Sequence, residues 1–398
     1  MRYDVGIIGG GVIGLACAWR LAQAGAQVAV FERGQVGHEA SWAAAGMLAP
    51  QCEMMHYPPQ RVAQAKRKAM FGLCHQSREM YRAFADELLA ATGIDIELSL
   101  QGHSQSDWRI PGILYVLEAG DKAAIAAIRE KFPASQFIAS GSPEAPDFGS
   151  LLSSRPFVKQ DDALWLPDEG QVENRRLVRA LHMAITKVGV QIHQQESIER
   201  VRVEGSRITS LINSEREVQC AHVLLCAGAW SGQIQGLPRE CLPPIKPIAG
   251  QIIALHEKIN AIRSIVYSRH CYVVPRRDGH LLIGATMEDT GFEKSVTVGG
   301  VTQLLGAATA LIPALSHSSI TDQWAGLRPG TPDGLPVLGR TAMENLYVAT
   351  GHFRNGILLT PVTAKLMADC LLKDVEPPAE FSLQRFQENQ AEVEAGRE

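Results

Sequence analysis

The stretch Gly9-Gly10-Gly11-Val12-Ile13-Gly14 decides the fold through what stands on either side of it. Residues 3–8 are an apolar run that reads as a buried strand. Val12, Leu15, Ala16 and Trp19 then keep helical spacing, and Gly25 suits the stop. Val28, Val30 and Phe31 form a second strand that ends at Glu32. In such a unit the first glycine, Gly9, makes the tight turn, and the second, Gly11, admits a pyrophosphate to backbone N–H groups. The third, Gly14, lets the helix pack closely, and the helix N-terminus further stabilises the anion. Glu32, 18 residues past Gly14, is placed to accept hydrogen bonds from a ribose hydroxyl pair. An acid there argues against NADP, while the spacing leaves FAD and NAD both open. Arg2, the run from Val5 to Leu15 and Ala16-Cys17-Ala18 also imitate a signal peptide. The glycines would weaken a membrane helix, and the nucleotide loop accounts for them.

Working outward, 398 residues suffice for a large core and predict two domains. Hydrophobic content of 46% and charged content of 20% are ordinary for a globular protein. A net charge of −4 gives no reason to expect nucleic acid or a membrane surface as partner. The eight cysteines include no CxxC pair, which suits reduced thiols and a cytoplasmic setting. The twelve histidines show no close ligand spacing, so no metal is expected. No apolar run reaches the length of a membrane span.

The middle of the chain offers several local readings. Residues 41–48 are small and apolar, either a core helix or a backbone segment approaching a flat ring. Residues 52–59 read as an irregular loop, 61–92 as a helix ending at Gly93, and 101–107 as a polar loop. Residues 113–117 read as a short strand. Asn174 is the expected cap of a helix whose face holds Leu177, Leu181, Ile185 and Val188, with Gly189 ending it. Residues 198–203 and 207–211 predict a hairpin, and residues 223–230 a buried strand running into a glycine turn.

Three later segments carry chemistry. Residues 271–275 and 280–285 flank Asp278-Gly279, a favoured hairpin turn. Pairing Arg277 with His280 sets Tyr272 opposite Ala285, with Met287 as its diagonal neighbour. Residues 324–334 hold too many glycines and prolines for regular structure, and Arg328 lies at their edge. Its guanidinium suits either a salt bridge or a two-pronged grip on a carboxylate. Finally, Gly351-His352-Phe353-Arg354-Asn355-Gly356-Ile357-Leu358-Leu359 precedes a helix expected to begin near Ile357. Pro361 is tolerated in its first turn, and the positive helix end would face residues 351–356.

With these segments assembled, the chain resembles the D-amino-acid-oxidase-like flavoprotein superfamily, and within it the glycine oxidases of the thiamine pathway. The likeness runs through the nucleotide loop and residues 43–48, 271–276, 284–287, 324–331 and 351–359. It implies a discontinuous Rossmann-like α/β FAD-binding domain (1–92, 161–236 and 327–375). A substrate domain on a mainly antiparallel sheet (93–160 and 237–326) and a tail of 376–398 complete it. It implies non-covalent FAD held by Gly9, Gly11, Val12, Ile13, Gly14, Glu32, Arg33, Ala40, Ser41, Ala45, Gly46 and Met47. Ile198 would contact adenine, and His352, Phe353, Arg354, Asn355, Gly356, Ile357 and Leu358 would follow the isoalloxazine edge. Arg328 would hold a substrate carboxylate, assisted by Tyr272, with Arg354 and Met287 nearby. The late cysteine, Cys370, falls inside the final helix, away from the position of a covalent flavin link.

The implied reaction oxidises an amino acid to an imine and then an oxo acid, with ammonia and hydrogen peroxide. Dioxygen and a small amino acid are the partners, and a homo-oligomer, tetrameric by resemblance, is expected. Rival readings are a D-amino-acid or sarcosine-type enzyme with a larger amine, transfer to a quinone, an NAD dehydrogenase and a non-catalytic flavin protein. Residues 101–108 look inserted and residues 52–59 are rich in large side chains, so both bear on the substrate.

Overall fold

The computed structural model describes residues 2–52, 64–103, 109, 111–117, 130, 134–138, 163–256 and 262–387. The opening unit is β1 (Arg2–Ile8), α1 (Val12–Gln23) and β2 (Val28–Glu32). After it come α2 (Ala40–Ala43), β3 (Met47–Leu48) and the long α3 (Gln64–Thr92). Next are β4 (Ile113–Val116), β5 (Gln136–Ile138), β6 (Ala163–Leu166), β7 (Gly170–Gln171) and α4 (Asn174–Lys187). The chain continues through β8 (Gln191–Gln194), β9 (Arg200–Glu204), β10 (Arg207–Ile212) and β11 (Glu217–Leu225). Then follow β12 (Lys246–His256), β13 (Ile265–Tyr267), β14 (Tyr272–Pro275), β15 (His280–Gly284) and α5 (Val298–Leu311). The last elements of interest are β16 (Ser319–Gly330), β17 (Val337–Arg340), β18 (Leu346–Thr350) and α6 (Thr360–Lys373).

Two large sheets organise these strands. The first runs β17-β18-β11-β1-β2-β8, with the β9–β10 hairpin attached to β11. Its centre is parallel: β1 pairs with both β11 and β2, β2 with β8, and β11 with β18. It is therefore a Rossmann-like sheet gathered from distant stretches of chain. Helices α1, α3, α4 and α6 cover one face, burying Trp19, Leu88, Leu181 and Met367 with Ile7, Val30 and Leu224. The second sheet runs β16-β12-β15-β14-β13-β4-β6-β5, antiparallel throughout except for β4 against β13. Leu304 and Ala308 of α5 pack against Ile253, Val273 and Ile283 on one face. Tyr115, Tyr267 and Trp324 on the other meet Ala43 and Ala45. Both β6 and the whole of β16 belong to this second sheet.

Five local expectations are corrected. Glu173, not Asn174, caps α4, its carboxylate accepting from the N–H groups of Arg175 and Arg176; Asn174 instead turns its amide toward the Ser41 and Trp42 carbonyls. Leu177, Leu181 and Ile185 are buried as expected, but Val188 lies past the helix end and is exposed. Residues 324–330 are the end of a regular strand. β16 is an edge strand, so Pro329 removes no bond to a further neighbour. A Cβ at Gly326 would stand 2.6 Å from that of Ala43, so this glycine admits α2 rather than breaking the strand. The β14–β15 hairpin pairs Arg276, not Arg277, with His280, because its loop holds three residues and Gly279 sits at φ +89°. Tyr272 thus faces Gly284. Finally, α6 starts at Thr360 with Pro361 in its first turn, three residues later than expected. The Leu359 N–H donates to the Asn355 carbonyl at 2.8 Å, so a separate turn precedes the helix.

Cys52, Gln101, Gly102 and His103 are described, while residues 53–63 and 104–108 of the two unusual segments lie outside the described residues. Among the described residues, no helix is long and apolar enough to cross a membrane. All eight cysteines are buried, and none is in a disulfide.

Glu169, fully buried between β6 and β7, accepts from the Gln51 N–H at 2.6 Å and the Cys52 N–H at 3.5 Å. Burial pushes its carboxyl up to about 8, against the pull of those donors and of Arg78. A raised folded value means that its contribution to stability is complete below the ordinary 4.5 and is lost as pH rises through about 8. Melting temperature should fall over that window, and Glu169→Gln should flatten the decline; equal slopes in wild type and variant would refute the assignment.

Candidate active site

Both sheets contribute to one cavity of about 360 Å³. Its nucleotide end begins at Gly9, where φ is +110° and a Cβ would lie 2.4 Å from the Cys226 carbonyl oxygen. Gly14 does not line the cavity; a Cβ there would strike the Gly9 carbonyl at 2.0 Å, so its work is close packing. The Gly10 N–H donates to Glu32 Oε2 at 2.8 Å and the Gly34 N–H to Oε1 at 2.9 Å. These bonds aim the acid at the end of β2. Ser41 Oγ accepts from the Val12 N–H at 2.9 Å and so ties the α2 segment to the start of α1. The first turn of α1 carries no acid.

The wall opposite is built from small residues. Ala43, Ala44, Ala45, Gly46 and Met47 all face the cavity. Arg276, at the end of β14 and 5% exposed, holds this wall in place. Its guanidinium donates to Gln171 Oε1 (3.2 Å), the Val172 carbonyl (3.0 Å), the Ala45 carbonyl (3.1 Å) and Asn174 Oδ1 (2.9 Å). Burial lowers its pKa, but an arginine stays charged.

At the other end stand Tyr272, Arg328, Arg354 and Met287. Arg328 rises from β16, and its Nη1 donates to the Ala249 carbonyl at 3.2 Å and the Thr286 carbonyl at 3.1 Å. Among the described residues no carboxylate forms an ion pair with it. Two glycines make flat seats: a Cβ on Gly250 would lie 2.2 Å from the Arg328 guanidinium, and one on Gly284 would lie 2.4 Å from the Tyr272 hydroxyl. Burial raises the Tyr272 phenol while Arg328 and Arg354 pull it down, the first effect winning. Burial likewise lowers Arg328, opposed by Tyr272. A neutral phenol and a cation therefore stand together. Met287 reaches the wall from beyond the end of β15 rather than as a cross-strand neighbour of Tyr272.

The loop of 351–357 closes this region. Phe353, at φ +49°, donates its N–H to the Pro329 carbonyl at 3.1 Å, placing the loop against the end of β16. His352 is buried and drops to about 3, so it is neutral, its Nε2 3.0 Å from Thr363 Oγ1. Leu358 faces the core instead of the cavity, and its carbonyl accepts from Ser77 Oγ at 2.6 Å. The Tyr81 hydroxyl donates to the Ile357 carbonyl, so α3 braces the turn.

Apart from Gly14 and Leu358, every cofactor or catalytic residue expected from the sequence lines the cavity: Gly9, Gly11, Val12, Ile13, Glu32, Arg33, Ala40, Ser41, Ala45, Gly46, Met47, Ile198, His352, Phe353, Arg354, Asn355, Gly356 and Ile357, with Tyr272, Met287 and Arg328. Sequence reasoning missed Tyr267, whose ring stacks on Tyr115 at 5.6 Å and lies 5.9 Å from that of Tyr272. A β-rich triplet at 265–267 was its only signal. It also missed Trp230, whose ring lies 3.4 Å from the Arg33 guanidinium carbon. The glycine loop, the acid, the small-residue wall and the absence of an acid in the first turn of α1 fit a long anionic dinucleotide.

Fold and cavity together define a dinucleotide-dependent enzyme in which Arg328 of the second sheet and Arg354 of the loop after β18 both face one end of the cavity. The chain belongs to the family described as DAO, FAD dependent oxidoreductase, whose model matches residues 4–370. It is 34% identical over 383 residues to the glycine oxidase of Pseudomonas putida, covering 95% of this chain and 96% of that one. It is 35% identical to the bifunctional protein ThiO/ThiG of a Synechocystis species, covering 96% of this chain and 54% of that protein. The crystal structure of glycine oxidase from Geobacillus kaustophilus superposes with a TM-score of 0.83 at 31% identity, covering 96% and 99% of the two chains.

Arg276→Met should leave its acceptors buried and unpaired and lower unfolding stability by on the order of 3 kcal/mol. Urea unfolding of the FAD-free protein measures this, and an unchanged midpoint would contradict the role given to Arg276.

Proposed function

We propose that this enzyme oxidises the Cα–N bond of glycine or a related small amino acid. With water and dioxygen the products are an oxo acid, ammonia and hydrogen peroxide. The observation that carries this reading is Arg328, a cation lining the cavity beside Tyr272 with no carboxylate partner among the described residues. Two backbone carbonyls hold its Nη1, which orients the rest of the guanidinium for a carboxylate. The Tyr272 hydroxyl, kept protonated, donates a further hydrogen bond to that anion. Arg354 adds positive charge on the same side.

When bound, FAD would supply the electron acceptor, with dioxygen as the terminal oxidant. Around it, Gly9, Gly11, Val12, Ile13 and Ser41 serve the pyrophosphate region, Glu32 the ribose, Ile198 the adenine side, and residues 45–47 and 352–357 the ring. The carboxylates lining the cavity, Glu32 and Glu39, both belong to the nucleotide end. Among the described residues no acid lines the substrate end as a base, which agrees with oxidation of a neutral amine. The turn before α6 separates its positive end from the cavity, so Arg354 rather than the helix supplies the positive charge there.

The relatives named glycine oxidase support glycine as substrate, and the ThiO/ThiG relative supports a place in thiamine synthesis. We assign cofactor binding to the first sheet with its helices and substrate binding to the second. A cytoplasmic homotetramer is the corresponding assembly by resemblance.

Arg328→Leu should keep the yellow flavin spectrum but weaken amino-acid binding by about 3 kcal/mol. Gly250→Ala, which displaces the guanidinium, should raise KM in the same direction with FAD retained. Anaerobic flavin bleaching by glycine, sarcosine, D-amino acids and larger N-substituted glycines reads both effects and ranks substrates. Unaltered bleaching in Arg328→Leu would remove the proposed carboxylate site, and dye reduction without peroxide would exclude an oxidase.

A further inference from the structure

Between β15 and α5 the chain leaves the second sheet; Glu288 still exchanges two backbone hydrogen bonds with Ala249 of β12 and Asp289 pairs with Lys246, and one further side chain of β12 bonds to both ends of the excursion. Gln251 of β12, 1% exposed, donates through Nε2 to Glu288 Oε1 at 2.7 Å and to Thr297 Oγ1 at 3.1 Å. Its Oε1 accepts from the Thr297 N–H at 3.0 Å. One buried amide thus pins both ends of the segment 288–297, and the residues between form a strap.

The strap reaches residues of the first sheet's side. The Phe292 ring lies 5.7 Å from that of Trp230, which carries the Arg33 guanidinium at 3.4 Å. Lys294 Nζ meets Glu39 Oε2 at 2.6 Å, and Glu39 Oε1 meets Arg33 Nη2 at 2.8 Å. Arg33, Glu39 and Trp230 all line the nucleotide end of the cavity. An isolated exposed ion pair contributes little. Here an aromatic contact and an ion pair converge on the same three residues, from a segment already ordered at both ends.

We propose that Phe292 and Lys294 are cofactor-retaining residues: the strap holds the nucleotide end closed, and its detachment limits the release of FAD. This rests on the reading of the cavity as an FAD site. The strap acts through Trp230, Arg33 and Glu39, so Phe292 and Lys294 are positioning residues.

The test is the rate of FAD release on dilution of the holoenzyme into FAD-free buffer, followed by the rise in free-flavin fluorescence. Loss of the aromatic contact in Phe292→Ala should accelerate release about fivefold. Lys294→Met should accelerate it about twofold at low salt and abolish most of the salt dependence seen in the wild type. Phe292→Tyr and Lys294→Arg should restore slow release, a rescue that general loosening of the loop would not give. Val298→Ala, at a side chain 85% exposed just beyond the strap, should match the wild type. Wild-type release rates in both Phe292→Ala and Lys294→Met would overturn the proposal, as would equal acceleration in Val298→Ala. A wild-type chain that binds no FAD would instead overturn the cavity reading, and the strap with it.

Discussion

A buried guanidinium joins the two halves of this enzyme. Arg276 leaves the end of a strand in the second sheet and bonds to residues 45, 171, 172 and 174, all outside that sheet. Its acceptors are neutral, so the charge is spread over carbonyl dipoles instead of a single carboxylate. Burying such a cation is costly, and leaving its acceptors without it would cost as well. The arrangement is stable only when every partner is in place. Asn174 extends it to the carbonyls of Ser41 and Trp42. The position of the small-residue wall, and with it the width of the cavity, follows from this one side chain.

The second electrostatic constraint is the crowding of positive charge at the substrate end. Arg328 and Arg354 both act on the Tyr272 phenol, and each also disfavours the other's charge. In the proposed carboxylate site, an anion entering between the cations would relieve this repulsion. The glycines beneath Arg328 and Tyr272 matter for the same reason, because they let both groups lie flat and leave the anion room.

The first sheet was largely legible in the sequence because its signals are local. A glycine loop between two apolar runs specifies strand, turn and helix within a few residues. Glu32 and the 351–357 loop were readable on the same basis. The second sheet was less so. Residues 324–330 carry two glycines and a proline, and only the edge position of the strand and the approach of Ala43 explain why they remain extended. The one-residue error in the hairpin register came from the turn: Asp278-Gly279 suits a two-residue loop, whereas Gly279 closes a three-residue one. Arg276 reads locally as a solvated charge in a turn. Its four partners come from other parts of the chain, which no periodicity reports. Asn174 misled for a similar reason, since a residue type suited to capping was recruited for a tertiary bond and Glu173 took over the cap.

The parallel strands of the first sheet also set an order of assembly. Strand β1 is made first, but its partner β11 and the strand β18 beyond it come some two and three hundred residues later. The loop that closes the flavin end of the cavity follows β18. During synthesis from the N-terminus, the glycine loop is therefore exposed long before the rest of its binding site exists. The high sequence separation of these pairings also makes their formation slow. On the proposed cofactor assignment, the complete FAD site exists only after the chain has been synthesised through this loop, which places full cofactor binding late in folding.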